Sequence, residues 1–143
     1  MKKMIILLAC LSLIACSEDE NKVEQEPSIY GTWQLFESYV VDGVGGDWIE
    51  IEDGYTYKIM TNGLFESSKF KECDNGKYEL NNEIIIFDYS CEDFTSGIEE
   101  PPGSFGYKFS IKGSVLEIQP TYIGCFEGCG FRFKKIAEPQ TGE

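Results

Sequence analysis

From residue 29 onward, apolar and polar positions alternate with a period of two along most of the chain. The first run, residues 29–41, places Trp33, Leu35 and Tyr39 on one face of a strand and Gln34 on the other. This period is typical of a β-strand with one buried face. Because no segment beyond residue 28 keeps a helical period, the pattern predicts an all-β domain.

Eight further short runs follow, and each is bounded by Gly, Asn or Asp. The turn Asn62-Gly63 carries the strongest short hairpin signal. Consecutive hairpins predict an antiparallel up-and-down meander, and closing it into a barrel of eight to nine strands removes its unpaired edges. A two-sheet sandwich is the competing architecture. The runs cover residues 48–52, 55–60, 64–70, 77–80, 83–87, 107–111, 115–118 and 131–134.

One acidic residue, Glu37, falls on the apolar face of the first run. A β-bulge near Phe36 would turn its side chain outward. Alternatively, Glu37 is a buried carboxylate that binds a ligand or pairs with an arginine. We favour the bulge.

The N-terminus has the parts of an export signal. Two lysines precede an apolar run, residues 4–13, which is too short to span a bilayer. The sequence Leu-Ile-Ala-Cys at residues 13–16 resembles the lipobox of bacterial lipoproteins. That resemblance implies that residues 1–15 are a lipoprotein signal peptide and that Cys16 is acylated and becomes the first residue of the mature chain. An ordinary secretory signal cut after Ala15 is the alternative.

The segment after Cys16 is acidic and has few apolar residues. We therefore expect residues 16–28 to form a lipidated, disordered tether, residues 29–137 the barrel, and residues 138–143 a disordered tail. Residues 17–20, Ser-Glu-Asp-Glu, are similar to the signal that sends lipoproteins to the outer face of the outer membrane in one group of Gram-negative bacteria. That similarity implies a lipid-anchored protein at the cell surface. A merely solvated acidic spacer is the alternative.

Composition excludes several functions. The net charge of −13 falls to about −15 once Lys2 and Lys3 leave with the signal peptide. Nucleic acid is excluded as a partner, because phosphate binding needs a basic face. The chain has no histidine, so Ser-His-Asp and Cys-His catalytic systems are excluded. No carboxylate pair on strand ends points to glycoside hydrolysis. We therefore expect a non-enzymatic protein without a cofactor.

Four cysteines remain in the mature domain besides Cys16, and an oxidising compartment favours two disulfides. The hairpin centred on Asn81-Asn82 would bring Cys73 and Cys91 to the same barrel end. We therefore predict the pairs Cys73–Cys91 and Cys125–Cys129. A four-thiolate zinc site is the alternative, but the cysteines are not spaced as two short knuckles, so no metal is expected.

Several motifs resemble those of the lipocalin-like lipoproteins of the calycin group. They are Gly31-x-Trp33 at the first strand, the repeated hairpins that turn at glycine, and the Cys-Phe-Glu-Gly-Cys-Gly segment at residues 125–130 before the closing strand. The resemblance covers about residues 29–136. It implies a barrel that carries a small apolar molecule and a late arginine, here Arg132, that packs over Trp33 as a structural cation–π pair.

The leading functional hypothesis is a lipid-anchored barrel that binds a small hydrophobic or amphipathic molecule. An eight-stranded barrel is just wide enough for its own side chains, so the inward aromatics could equally be core. The alternative is a protein-interaction module, an inhibitor or an accessory subunit, with a solid core and acidic loops that face a basic partner. The candidate ligand-binding residues are Trp33, Leu35, Tyr55, Tyr57, Phe87, Tyr107 and Phe109, with Phe131 and Phe133 beside them.

Overall fold

The structure is a computed structural model that describes residues 28–124 and 129–139, and every regular element in those residues is a β-strand. The predicted signal peptide, Cys16, most of the tether and residues 140–143 lie outside the described residues. Those predictions therefore stay predictions. The strands are β1 Gly31–Val41, β2 Gly46–Glu50, β3 Thr56–Ile59, β4 Leu64–Ser67, β5 Asn75–Asn81, β6 Ile84–Tyr89, β7 Ser104–Lys112, β8 Val115–Pro120 and β9 Gly130–Ala137.

The strands form one closed antiparallel sheet. From β3 to β9 each strand pairs with the next in the sequence, and β1 pairs with both β3 and β9. The ring therefore has eight strands. The ninth, β2, pairs with the C-terminal half of β1 in line with β3. The predicted meander and barrel closure are confirmed, and the sandwich is wrong.

The predicted bulge in β1 is present. Its register with β9 shifts between Leu35 and Glu37, and the Glu37 carboxylate lies 3.1 Å from a guanidinium nitrogen of Arg132 on the outer face. Because one extra residue reverses the alternation, Tyr39 does not share the inward face of Trp33 as predicted. Its ring packs instead edge-on against Trp48, with 5.4 Å between centroids.

The predicted contact between Arg132 and Trp33 is wrong. The guanidinium carbon of Arg132 lies 3.7 Å from the centre of the Trp48 ring, and the cation over Trp33 is the Lys135 amine at 5.3 Å. The register explains the difference, because Lys135 lies opposite Trp33 while Arg132 lies opposite Glu37. Trp33 keeps a structural role, since its indole nitrogen donates a 2.7 Å hydrogen bond to the carbonyl of Ile29.

Aromatic rings fill the centre of the barrel. Tyr57 and Phe87 stack with centroids 4.4 Å apart, and Phe65 meets Phe87 edge-on at 4.8 Å. Of the seven candidate ligand-binding residues, five are buried in this core and two are partly buried against it, so their predicted inward orientation is confirmed and their binding role is not tested. The buried five are Trp33, Leu35, Tyr57, Phe87 and Tyr107, and the other two are Tyr55 and Phe109.

The two ends of the barrel differ. One end carries only the short turns at residues 60–63, 82–83 and 113–114. The other end carries the longer connections, among them residues 68–74 and 90–103, and we call it the loop end. The predicted disulfide between Cys73 and Cys91 is confirmed and joins those two loops. Cys129 is also disulfide-bonded. Cys125 lies outside the described residues, so its pairing with Cys129 stays a prediction.

The packing around Gly76 on β5 leaves no space for a side chain. A Cβ at this position would lie 2.1 Å from the Asp88 carbonyl oxygen and 2.7 Å from the Phe65 ring. We expect Gly76→Ala to lower the free energy of unfolding by about 2 kcal/mol or more, measured by urea denaturation. Gly45→Ala is the matched control, because a Cβ there has no neighbour within 4 Å. Equal stability of the two variants would contradict the packing described here.

Candidate functional site at the loop end

Lys69 projects from the loop after β4 into the loop end of the barrel. Its amine donates a hydrogen bond of 2.9 Å to the hydroxyl of Tyr107 on β7. Four ring centres surround the amine at 5.0 to 5.7 Å. The rings belong to Tyr55, Phe70, Phe105 and Tyr107. A cation is thus held in an aromatic cage inside the mouth of the barrel.

No carboxylate of the described chain lies within 4.0 Å of the Lys69 amine. Burial lowers the pKa of Lys69 to about 8, and the more distant charge of Glu99 opposes that shift. Buried lysines are ordinarily paired with an acid, because an unpaired charge is costly to desolvate. Lys69 is therefore a partly buried cation without a counter-ion among the described residues.

Five tyrosines surround this amine and extend into the barrel; we call Tyr55, Tyr57, Tyr89, Tyr107 and Tyr122 the tyrosine cluster. The hydroxyl oxygens of Tyr107 and Tyr122 lie 3.3 Å apart. Those of Tyr55, Tyr57 and Tyr89 are buried and make no well-aligned hydrogen bond in the described chain. The Tyr57 hydroxyl nevertheless interacts with those of Tyr89 and Tyr107, and the Tyr89 hydroxyl with that of Ser67, so only Tyr55 lacks a neighbouring side-chain partner. Burial raises the pKa of all five hydroxyls, so they remain neutral donors.

Unpaired buried hydroxyls are costly, at about 1–3 kcal/mol each, and native proteins keep few of them. The Tyr55 hydroxyl is such a group, and beside it the Lys69 amine uses one of its three N–H donors in the described chain. This arrangement can bind a molecule that supplies acceptor atoms. It lies toward the loop end, whereas Trp33, Leu35 and Phe87 belong to the packed centre.

Loop residues cover the site with further rings. Phe70 and Phe94 lie 5.0 Å apart, and each contacts Tyr89, at 5.2 and 5.1 Å. Tyr122 packs edge-on against Phe105 at 5.2 Å. We call Phe70, Phe94 and Tyr122 the aromatic cap. The Cys73–Cys91 disulfide ties together the two loops that carry Phe70 and Phe94.

Glu99 organises the longest loop. Its carboxylate accepts hydrogen bonds from the backbone nitrogens of Ser96 and Gly103, both at 2.9 Å, and a further bond from the Ser96 hydroxyl. Although burial by itself would raise it, these hydrogen bonds hold the pKa of Glu99 well below its usual range. The carboxylate is therefore engaged with its own loop and does not contact Lys69.

A cleft opens at the opposite end, between the start of β1, the turn after β3 and the end of β9. It has a volume of about 390 Å³, and Gly31, Ile59, Asn62 and Ala137 are among its lining residues. None of the seven predicted ligand-binding residues lines it. It is a surface cleft rather than an opening into the barrel interior.

Sequence reasoning found Tyr55, Tyr57 and Tyr107 but missed Lys69 and Tyr122. The run at residues 64–70 was expected to be a strand throughout, whereas β4 ends at Ser67. The sequence does contain one signal that the Lys69 side chain points inward. Phe65, Ser67 and Lys69 share a parity, and the first two are buried, so alternation alone directs Lys69 inward.

Residues 28–124 and 129–139 contain no group of three or more Cys, Asp or Glu side chains placed to hold a metal ion. Within the same residues no helix has the length and apolar character needed to cross a membrane.

Comparison with protein-family models finds no match, and comparison with curated proteins finds none either. Among solved structures, the chain is similar to a lipocalin-like protein from Bacteroides uniformis ATCC 8492. The TM-score is 0.53 at 21% sequence identity, and the match covers 75% of this chain and 97% of that one. At this identity the likeness shows the fold alone. The domain is a lipocalin-like barrel.

Protonation of Glu99 should destabilise the loop. Because its folded pKa lies below the ordinary value of 4.5, its contribution to stability is complete above pH 4.5 and is lost as the pH falls below that. We expect Glu99→Gln to be less stable than wild type at pH 7, by about 1–3 kcal/mol, with the gap closing toward pH 3. Urea unfolding from pH 3 to 7 measures this. The exposed neighbour Glu100→Gln is the control, and a constant gap for Glu99→Gln would contradict the assignment.

Proposed function

We propose that the protein is a lipid-anchored, non-catalytic barrel that binds a small hydrophobic or amphipathic molecule at its loop end. The observation that carries the proposal is the Lys69 amine, which uses one of its three N–H donors, beside the unpaired Tyr55 hydroxyl, with aromatic rings around both. Binding sites for small molecules typically combine an apolar wall with a few converging polar groups. The lipocalin-like fold supports the same interpretation.

The packed centre limits where a ligand lies. Tyr57, Phe65 and Phe87 are in ring contact and are at most 1% exposed, so a ligand does not replace them without disrupting the core. The aromatic cap is different, because its three rings lie on loops, which move at lower cost than barrel strands. The ligand therefore occupies the loop end, with the cap rings moved aside or packed against it.

The membrane anchor is proposed from the N-terminal sequence. The resemblance of residues 13–16 to a lipobox supports acylation of Cys16, and the acidic segment at residues 17–20 supports placement at the cell surface. The Cys73–Cys91 disulfide is consistent with an oxidising compartment outside the cytosol. A tether of about a dozen residues would then hold the barrel near the membrane.

A second candidate is the protein-interaction module, and the filled centre of the barrel favours it. Under that proposal the aromatic rings form the hydrophobic core and bind no ligand, and the acidic surface binds a basic partner protein. The two candidates differ in one measurable property. The carrier binds a small apolar molecule with defined stoichiometry, and the interaction module does not.

Ligand binding is tested with N-phenyl-1-naphthylamine, a neutral fluorescent probe. We expect saturable binding with one probe per barrel, and we expect Tyr122→Ala to weaken it about 2- to 10-fold because a ring contact is lost. Thr61→Trp, which obstructs the cleft at the opposite end, should leave the affinity within about twofold. An absence of saturable binding would refute the carrier proposal and favour the interaction module.

The anchor is tested by expressing the full chain in a Gram-negative host. We expect the protein in the membrane fraction, with intact mass and peptide analysis showing an acylated Cys16 as the first residue. Cys16→Ala should abolish acylation, whereas Cys10→Ala, inside the proposed signal peptide, should not. Recovery of the unprocessed chain from the cytoplasm with Met1 intact would show that the anchor proposal is wrong.

A further inference from the structure

Several hydrogen-bond donors at the loop end are not used within the described chain. The Lys69 amine has three N–H donors, and in the described structure one of them is used, on the Tyr107 hydroxyl. Tyr107 and Tyr122 share one hydrogen bond between them, and the buried Tyr55 hydroxyl has no partner in residues 28–124 and 129–139. A neutral carbonyl oxygen accepts at most about two hydrogen bonds, whereas the two oxygens of a carboxylate accept about four and form stronger, charge-assisted bonds with an ammonium group.

We infer that Lys69, together with the hydroxyls of Tyr55, Tyr107 and Tyr122, binds the oxyanion headgroup of an organic acid. The apolar body of the ligand packs on Phe105 in place of the Phe70 ring, whose centre lies 5.4 Å from that of Phe105 in the described structure. This inference rests on the proposed function, because it names the class of ligand that the same site takes. A carboxylate is the simplest headgroup that fits. Its two oxygens accept hydrogen bonds from an ammonium group and from neighbouring phenols.

Charge argues for an anion rather than for a neutral molecule. The four rings around the Lys69 amine attract a cation through their faces, but they accept no conventional hydrogen bond. The nearest described acid, Glu99, directs its carboxylate to the backbone of its own loop. The positive charge at the barrel mouth is therefore not neutralised by contact with the described protein, and an anionic ligand would neutralise it.

The overall acidity of the chain does not contradict this inference. The net charge of the full chain is −13, and the acids of the described residues lie mainly in loops and on outward strand faces. Glu66 and Glu117, for example, are paired there with Lys58 and Arg132. The amine of Lys69 instead faces the barrel interior. A negatively charged exterior slows the approach of an anion, but the local contacts determine its affinity once it is bound.

Binding of an acid should depend on pH in one direction. The groups that face Lys69 are Tyr55 before β3, Tyr107 on β7, Tyr122 after β8 and Glu99 in the loop after β6. The three tyrosines have raised pKa values and Glu99 a lowered one, so none of them titrates near neutral pH. Lys69 has a pKa of about 8 in the free protein. An adjacent anion would raise that pKa. The affinity is therefore expected to be level from about pH 6, where a carboxylic acid is ionised, to pH 8 and to fall above it.

The experiment compares decanoate with decan-1-ol, which have the same chain length and differ in the charge of the headgroup. Isothermal titration calorimetry with the wild-type domain is expected to show decanoate binding at least about tenfold more tightly. In Lys69→Met the preference is expected to disappear, while decan-1-ol binding stays within about threefold of wild type. Lys69→Arg keeps the charge and should restore a preference for decanoate.

Two controls accompany this comparison, namely a variant of an exposed lysine and an anion that has no apolar chain. Lys77→Met removes an exposed lysine on an outward position of β5 and should keep the wild-type preference. Acetate, which has the headgroup without the apolar body, should bind at least about a hundredfold more weakly than decanoate, since each buried methylene contributes about 0.8 kcal/mol. Circular dichroism of each variant confirms that the barrel is folded.

The outcomes separate the inference from the proposed function. If the wild-type protein and Lys69→Met bind both ligands equally, the inference is wrong while the proposed function stands. If neither ligand nor the naphthylamine probe binds, the proposed function itself fails. If acetate binds as tightly as decanoate, the assignment of an apolar body to the ligand is overturned.

Should Lys69→Met not fold, the wild-type pH series decides, because decanoate affinity must fall at least about threefold from pH 8 to 9 while that of decan-1-ol stays constant.

Discussion

Backbone pairing of β1 with β9 closes the sheet, and the whole interior depends on that closure. β1 is the longest strand, with 11 residues, and it pairs with β3 and then β2 along one edge and with β9 along the other. A bulge between Leu35 and Glu37 changes which side chains of this strand face the core and which face outward. Before the bulge its inward residues, Trp33 and Leu35, pack in the core. After it, Glu37 faces outward and joins Arg132 in an ion pair.

Closure creates an interior with two unlike parts. Stacked rings such as Tyr57 and Phe87 fill the centre and make the barrel solid there. Toward the loop end the interior becomes polar, with the Lys69 amine, which uses one of its three N–H donors, and the buried Tyr55 hydroxyl, which has no partner among the described residues. Buried polar groups without partners are expensive to keep. Their concentration at the one end that carries long, disulfide-linked loops is the structural basis for the proposed binding site.

Much of the fold was predictable from the sequence, because alternation and turn residues act locally. All nine strands, the barrel closure, the bulge near Phe36 and the Cys73–Cys91 pair followed from periodicity, hairpin signals and register. The partner of Arg132 was not predictable, since it depends on how β9 aligns with β1 and on Trp48 in the hairpin beside it. Lys69 was missed because a single lysine at the end of a strand resembles any solvated charge until the cage around it is known.

The account depends most on one claim, namely that the donors at the loop end take an anionic ligand. A high-resolution crystal structure of the protein purified from its own membrane, without added ligand, tests that claim directly. The account predicts density for an organic molecule with an acceptor oxygen within about 3.2 Å of the Lys69 amine. Density for ordered water alone, bridging Lys69 to the hydroxyls of Tyr55 and Tyr122 beneath an unmoved aromatic cap, would contradict it.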